Sequence, residues 1–206
     1  MDQLTQWILP ALGALGLGMG FALKPLATAY GARWPARAMA PVMAALGLVA
    51  GAVAGPQPAA AILGVASLIL LACGVIDYQT RRIPNLLVLA LMSVAALSSG
   101  FELIVTWQAG LIGAVLGVGL LLLVDWIYRL RGRGRGVGMG DIKLMAGIGG
   151  LVGPIYVVWV LLGASLLQTL VGLAALTQGK KLHDVLPFGP ALALFAIGVL
   201  FYLFVI

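Results

Sequence analysis

The sequence predicts an all-α fold: a polytopic bundle of transmembrane helices that forms one integral membrane domain over residues 1–206. Of these residues, 63% are hydrophobic and 9% are charged, against about 45–50% and about 25% in soluble domains. Long apolar runs follow one another with short polar loops between them. The lysines and arginines fall into four loop clusters, which is typical of membrane orientation signals and not of a nucleic-acid-binding surface.

About eight apolar segments are expected, one of them short or broken. Clusters of glycine and proline mark turns at residues 55–58 and 149–154. A span needs about 20 apolar residues, so the run over 142–177 is too long for one crossing and is expected to fold back near Pro154. The predicted segments are 7–23, 41–55, 59–76, 85–99, 103–124, 142–151, 155–176 and 187–206.

The basic clusters predict how these segments are oriented. Loops on the cytoplasmic side carry an excess of lysine and arginine. The clusters at 24–37, 81–82, 129–143 and 180–181 are therefore all expected on that side. An even number of crossings then separates each cluster from the next, and both termini are expected outside.

Two aspartates stand out because each lies where an apolar run meets a basic loop. Asp77 ends the third run and Asp141 opens the sixth, so the topology places both at the same membrane face. Two carboxyl groups that face one another can share one proton, which supplies a base to activate water and an acid to protonate a leaving amine. The pattern equally allows each aspartate to pair with a neighbouring cation, Arg81 or Arg82 for Asp77 and Lys143 for Asp141.

The remaining acidic residues have simpler interpretations. Asp2 and Glu102 are expected in water on the outer side, and Asp184 in a short basic loop. Asp125 ends the fifth run beside a basic loop, where we expect it to pair with the arginines that follow. Gly138 and Gly140, just before Asp141, leave room for a substrate backbone and for a sharp turn into the next helix.

Three motifs resemble those of the type IV prepilin peptidases, a family of membrane aspartic proteases. The family pairs an Asp followed by an Ile-Pro-Asn turn with a Gly-x-Gly-Asp-x-Lys-Leu segment. Here these are Asp77 with Ile83-Pro84-Asn85, and Gly138-Met139-Gly140-Asp141-Ile142-Lys143-Leu144; a third match is Pro187-Phe188-Gly189-Pro190. The resemblance covers residues 59–206, the predicted peptidase core, and leaves 1–58 as N-terminal helices.

The resemblance implies an endopeptidase of the bacterial inner membrane that cleaves the basic leader of pilin or pseudopilin precursors at the cytoplasmic face. Asp77 and Asp141 would be the catalytic pair, with no cofactor and no metal. Supporting roles at the substrate site are implied for Gly138, Gly140, Lys143, Pro84, Asn85, Pro187, Phe188 and Gly189. Larger family members carry a cytoplasmic insertion with paired CxxC motifs, linked to N-methylation. The short loop at 24–40 and the single Cys73 predict a form without that zinc module.

Three other functions fit parts of the pattern. One is a catalytically silent assembly factor for a pilus or secretion machine, against which the intact Asp77 and Asp141 argue. A presenilin-like intramembrane protease shares the Gly-x-Gly-Asp element, although its partner aspartate lies in a Tyr-Asp setting and Asp77-Tyr78 has the reverse order. A membrane transporter or channel would use Asp77 and Asp141 as ion or proton sites at a broken helix. A central transport site is expected at the membrane midplane, whereas both aspartates are predicted at one edge.

Overall fold

The computed structural model describes residues 3–54, 57–132, 136–177 and 187–205, and the regular structure in these residues is helical throughout. This confirms the predicted all-α bundle. The helices are α1 (Gln3–Ala29), α2 (Ala36–Ala54), α3 (Pro58–Thr80), α4 (Asn85–Gly100), α5 (Trp107–Leu130), α6 (Met139–Thr177) and α7 (Gly189–Val205). The predicted segment at 103–124 is displaced, because residues 103–106 precede α5 and its N-cap is Thr106.

Small residues let α1 and α2 pack closely as a hairpin. A side chain on Gly16 would collide with the carbonyl of Met43, and one on Gly20 with Ala40, which is the small-residue packing expected between helices in lipid. The buried indole of Trp34 closes the hairpin by donating to the carbonyl of Gly20 at 2.6 Å. The two helices are joined by residues 30–35.

α3 is the central helix of the bundle, since it packs against α1, α2, α4 and α7. It ends after Thr80 because Arg81 adopts a left-handed conformation with φ 55° and donates its backbone N–H to the carbonyl of Asp77 at 2.8 Å. Glycine usually takes this helix-ending position, so the Cβ of Arg81 is held there at some cost in backbone strain.

α6 doubles back on itself at Gly153, whose φ of 77° and ψ of 178° are not helical. A side chain on Gly117 of α5 would lie 3.0 Å from Met145 and 3.2 Å from Val157. Those two residues would be about 18 Å apart in a straight helix, so the chain must reverse between them. The predicted fold-back is confirmed, with 139–152 as the short arm (α6a) and 154–177 as the returning arm (α6b).

The reversal brings many helix ends to one side of the bundle. Asp77 near the end of α3, Asp141 at the start of α6a and Gln168 late in α6b border a common cavity. We call this side the basic end because Arg33, Arg82 and other exposed arginines lie there. Five helices, α1, α2, α3, α5 and α6, are long and apolar enough to cross a membrane, and α4 and α7 are shorter apolar helices. The chain is therefore a multi-pass membrane protein.

Candidate active site

Asp77 and Asp141 border the same two cavities at the basic end. The larger cavity, of about 450 Å³, lies between α3, α5 and α6b. The smaller one, of about 330 Å³, opens toward the α3–α4 turn and the end of α1. Arg81 and Gly138 also border both. The structure thus brings together the two carboxylates that the topology predicts at one face.

Asp77 is held by the first residue of α7. Its side chain is buried, with the residue 6% exposed, and its Oδ2 accepts a hydrogen bond from the backbone N–H of Gly189 at 3.1 Å. The N-terminus of a helix carries a partial positive charge that stabilises an anion. A Cβ on Gly189 would lie only 2.5 Å from the same oxygen, so glycine is needed for this close approach.

Asp141 is the third residue of α6 and caps the helix that it opens. Its Oδ2 is turned back toward Gly138, the residue just before the helix, where an added Cβ would lie 2.9 Å from it. An acidic residue at this position of a capping box is turned back in the same way. The Oδ1 of Asp141 is buried and has no hydrogen-bond partner within the described ranges. A buried acceptor is costly without a partner, so this oxygen is suited to hold water or a substrate group.

The ion pairs that the sequence allowed for these aspartates are not formed. Within the part of the chain that the structure describes, neither Asp77 nor Asp141 makes a salt bridge. Lys143 donates instead to the side-chain oxygen of Asn85 at 3.2 Å and thereby ties the start of α6 to the start of α4. Both residues border the smaller cavity.

The two glycines before Asp141 have different surroundings. A Cβ on Gly138 would lie 2.9 Å from Asp141 Oδ2, whereas one on Gly140 would lie 3.2 Å from the Cβ of Ile83. Gly140 therefore makes room for the side chain of Ile83 in the α3–α4 turn. This contact joins the Ile-Pro-Asn motif to the Gly-x-Gly-Asp motif directly. It is a packing role for Gly140 beside the predicted one of leaving room for a substrate.

Asp125 anchors the loop that leads to Asp141. It is 3% exposed, its Oδ2 accepts from Arg129 at 2.6 and 2.8 Å, and its Oδ1 accepts from the backbone N–H of Gly136 at 2.9 Å and of Val137 at 3.4 Å. The expected pairing with an arginine is confirmed. Asp125 also holds the loop through the two backbone hydrogen bonds, a role that its position in the sequence did not indicate.

The other predicted supporting residues are distributed around the site. Pro187 and Phe188 border the larger cavity. Pro84 is buried, is the N-cap of α4 and does not border either cavity. Asp184 lies outside the described residues. The larger cavity is also lined by residues that no sequence pattern marked as part of the site: Arg81, Leu121, Val124, Ser165 and Gln168.

Comparison with known proteins identifies the family of this chain. Residues 64–173, which include both aspartates, match the model of the type IV leader peptidase family. The chain belongs to the type IV leader peptidase family. The resemblance drawn from the three motifs is thereby confirmed. Gly189, which holds Asp77, lies beyond the matched segment.

Several similar proteins are named prepilin leader peptidase/N-methyltransferase. The one from Burkholderia pseudomallei (strain 1026b) is 34% identical over 179 residues, covering 85% of this chain and 56% of the relative. Those from Dickeya chrysanthemi and Pseudomonas aeruginosa are each 32% identical, over 66% and 61% of this chain and 50% and 43% of the relatives. The chain thus spans about half the length of the relatives that it matches. No solved structure matches it.

Among the described residues, no group of three histidine, cysteine or acidic side chains is placed to hold a metal ion. The site that these residues form is a pair of carboxyl groups beside a cavity. Such a pair provides the base and the acid that peptide hydrolysis requires.

Proposed function

We propose that this leader peptidase family member is an aspartic endopeptidase that removes the basic leader of type IV pilin-like precursors at the cytoplasmic face of the inner membrane. The observation that carries the proposal is that Asp77 and Asp141, far apart in sequence, border one cavity at the basic end of the bundle. Family membership and the names of the relatives support the substrate class.

In the proposed reaction the two carboxyl groups share one proton. The ionised carboxylate takes a proton from a water molecule, whose oxygen attacks the carbonyl carbon of the scissile peptide bond. The protonated carboxyl then gives its proton to the amide nitrogen, and the C–N bond breaks to release the leader and the new N-terminus. The backbone N–H of Gly189 orients Asp77, and the close approach of Gly138 to Asp141 Oδ2 limits the movement of the second carboxylate, so that little reorganisation is needed during the reaction.

The location of the pair fits a substrate that is itself a membrane helix. The positive-inside rule favours the basic end as the cytoplasmic side, with both termini outside. In a precursor whose basic leader precedes an apolar helix, the peptide bond between leader and helix would lie at the same membrane depth as Asp77 and Asp141. A transport role for Asp77 and Asp141 is not favoured, since both lie at one end of the bundle, and family membership disfavours a presenilin-like assignment.

The test is cleavage of a pilin precursor from the same organism by the purified full chain in liposomes, followed as a shift on a gel. Wild type should cleave, while Asp77→Asn and Asp141→Asn should not. Glu102→Gln is the matched control, because it makes the same charge change away from both cavities. Full cleavage by either aspartate variant, or none by wild type with several pilin-like precursors, would refute the proposal.

A further inference from the structure

The larger cavity continues from the two carboxylates into the apolar part of the bundle. On α5 it is lined by Val124 and Leu121, which lie about one helical turn apart. On α6b it is lined by Gln168 and Ser165, and Ser165 is the deeper of the two because α6b runs toward the basic end. Val124 is 42% exposed, so packing against other helices does not seal the cavity at this point of α5.

Most side chains that line the larger cavity between α5 and α6b cannot form hydrogen bonds. Leu121 and Val124 face α6b across the cavity, and Phe188 lies at its rim. Ser165 and Gln168 are the exceptions among the described residues of α5 and α6b that border it. They are three positions apart, so they lie on the same face of α6b. Together they present a hydroxyl and an amide, which offer both donors and acceptors.

Two threonine hydroxyls on α6b bond to their own helix. The hydroxyl of Thr169 donates to the carbonyl of Ser165 at 2.8 Å, and that of Thr177 to the carbonyl of Ala174 at 2.9 Å. This is the usual way in which such residues are accommodated in an apolar helix. Ser165 and Gln168 are distinguished from them by their position on the cavity that holds Asp77 and Asp141.

A membrane-helix substrate creates a need for such groups. A protease cleaves an extended segment, so the first turn of the substrate helix must open for its preceding bond to reach the carboxylates. Opening a turn frees backbone N–H and C=O groups, and in an apolar environment each unpaired group costs several kcal/mol. Side chains that accept and donate hydrogen bonds beside the opened turn remove that cost.

We infer that Ser165 and Gln168 form a main-chain binding subsite for the residues that directly follow the scissile bond of a membrane-inserted helical substrate. The inference rests on the proposed peptidase function and extends it. The cavity between α5 and α6b, which is not sealed at Val124, is the entrance for the substrate helix. Gln168 forms hydrogen bonds with the substrate main chain nearest the carboxylates, and Ser165 does so one helical turn deeper in the cavity.

The experiment compares wild type with Gln168→Leu and Ser165→Ala for kcat and KM on a pilin precursor in liposomes. Each variant should lower kcat/KM about tenfold, mainly through KM, because the lost hydrogen bond is made in both the ground and transition states. Thr169→Val is the matched control on the same helix, since its hydroxyl bonds to its own helix, and it should match wild type.

A second measurement separates binding from a general loss of structure. A synthetic precursor in which one backbone amide after the scissile bond is replaced by an ester lacks a single N–H donor. At the position facing Gln168 this ester should lower kcat/KM about tenfold in wild type and have little further effect in Gln168→Leu, as expected of two groups that bond to each other.

The possible results distinguish failure of the subsite from failure of the proposed peptidase function. If wild type cleaves and Gln168→Leu and Ser165→Ala have wild-type KM, the subsite is wrong while the peptidase assignment stands. If each variant and each ester lower activity independently of one another, the predicted contact is likewise wrong. If wild type cleaves none of several pilin-like precursors, the proposed function and the subsite both fail.

Discussion

Replacing Gly189 by alanine probes the contact that holds Asp77. The new Cβ would lie 2.5 Å from Asp77 Oδ2 and 2.9 Å from its Cγ. A shift of about 0.9 Å restores an ordinary contact of 3.4 Å. The carboxylate is the end of a side chain and can rotate away, so folding should be little affected. The reaction should suffer more, because a displacement of about 1 Å in a catalytic group can cost about 100-fold in rate.

The assay is kcat for precursor cleavage by Gly189→Ala, with the thermal unfolding midpoint measured on the same sample. We expect kcat about 100-fold below wild type, equivalent to about 2.7 kcal/mol of lost transition-state stabilisation, with the midpoint changed by a few degrees at most. Gly198→Ala is the control on the same helix, because no atom lies within 4 Å of its added Cβ. A Gly189→Ala enzyme with wild-type kcat would refute the view that this backbone N–H positions Asp77.

Three further changes test the surroundings of the pair. Asp125→Asn should keep kcat within about fivefold, because an amide oxygen can still accept from the N–H groups of residues 136–137, and Arg129, with half of its side chain exposed, can be solvated instead. Asp125→Leu leaves the two N–H groups without this acceptor and should lower kcat about tenfold. Gly140→Ala crowds Ile83 and should lower kcat severalfold. Adding Ile83→Ala removes the contacts with Cγ1 and Cδ1 but keeps the Cβ, so it should restore part of the lost kcat. Gly113→Ala places a Cβ against a backbone carbonyl of α6 and should destabilise the fold by about 1–3 kcal/mol.

Each of these three predictions can be contradicted by a specific result. Equal kcat for the Asn and Leu variants at Asp125 would show that the loop does not depend on this acceptor. Failure of Ile83→Ala to rescue Gly140→Ala would place the role of the glycine elsewhere, for example at a substrate contact. Gly119→Ala, where the added Cβ meets open space, is the stability control for Gly113→Ala, and equal thermal midpoints for the two would contradict the packing argument.

Local signals in the sequence were sufficient to predict most of the fold. Apolar runs of membrane length and the turns between them gave the order of the helices. The unusual length of the run at 142–177, with a proline at 154, gave the reversal of α6, which the structure places at Gly153. The start of α5 was predicted too early, because Leu103, Ile104 and Val105 are apolar although they precede the helix.

The individual contacts that residues make across distant segments could not be predicted from the sequence. The hydrogen bond from Gly189 to Asp77 joins residues 112 positions apart, and a motif match marks the glycine without saying what it touches. The same holds for Gly140, whose neighbour Ile83 lies in the other motif. Gln168 carries no motif at all, and its place beside the carboxylates follows only from the direction of α6b after the reversal.

The most direct test of the catalytic pair is a comparison of kcat for Asp77→Asn, Asp141→Asn and the double variant under single-turnover conditions. Two groups that act as one unit are not additive when removed. We expect each single variant to lose at least about a thousandfold in kcat and the double variant to lose no more than the worse single one. A single variant within about tenfold of wild type, or losses that multiply in the double variant, would contradict a shared-proton pair.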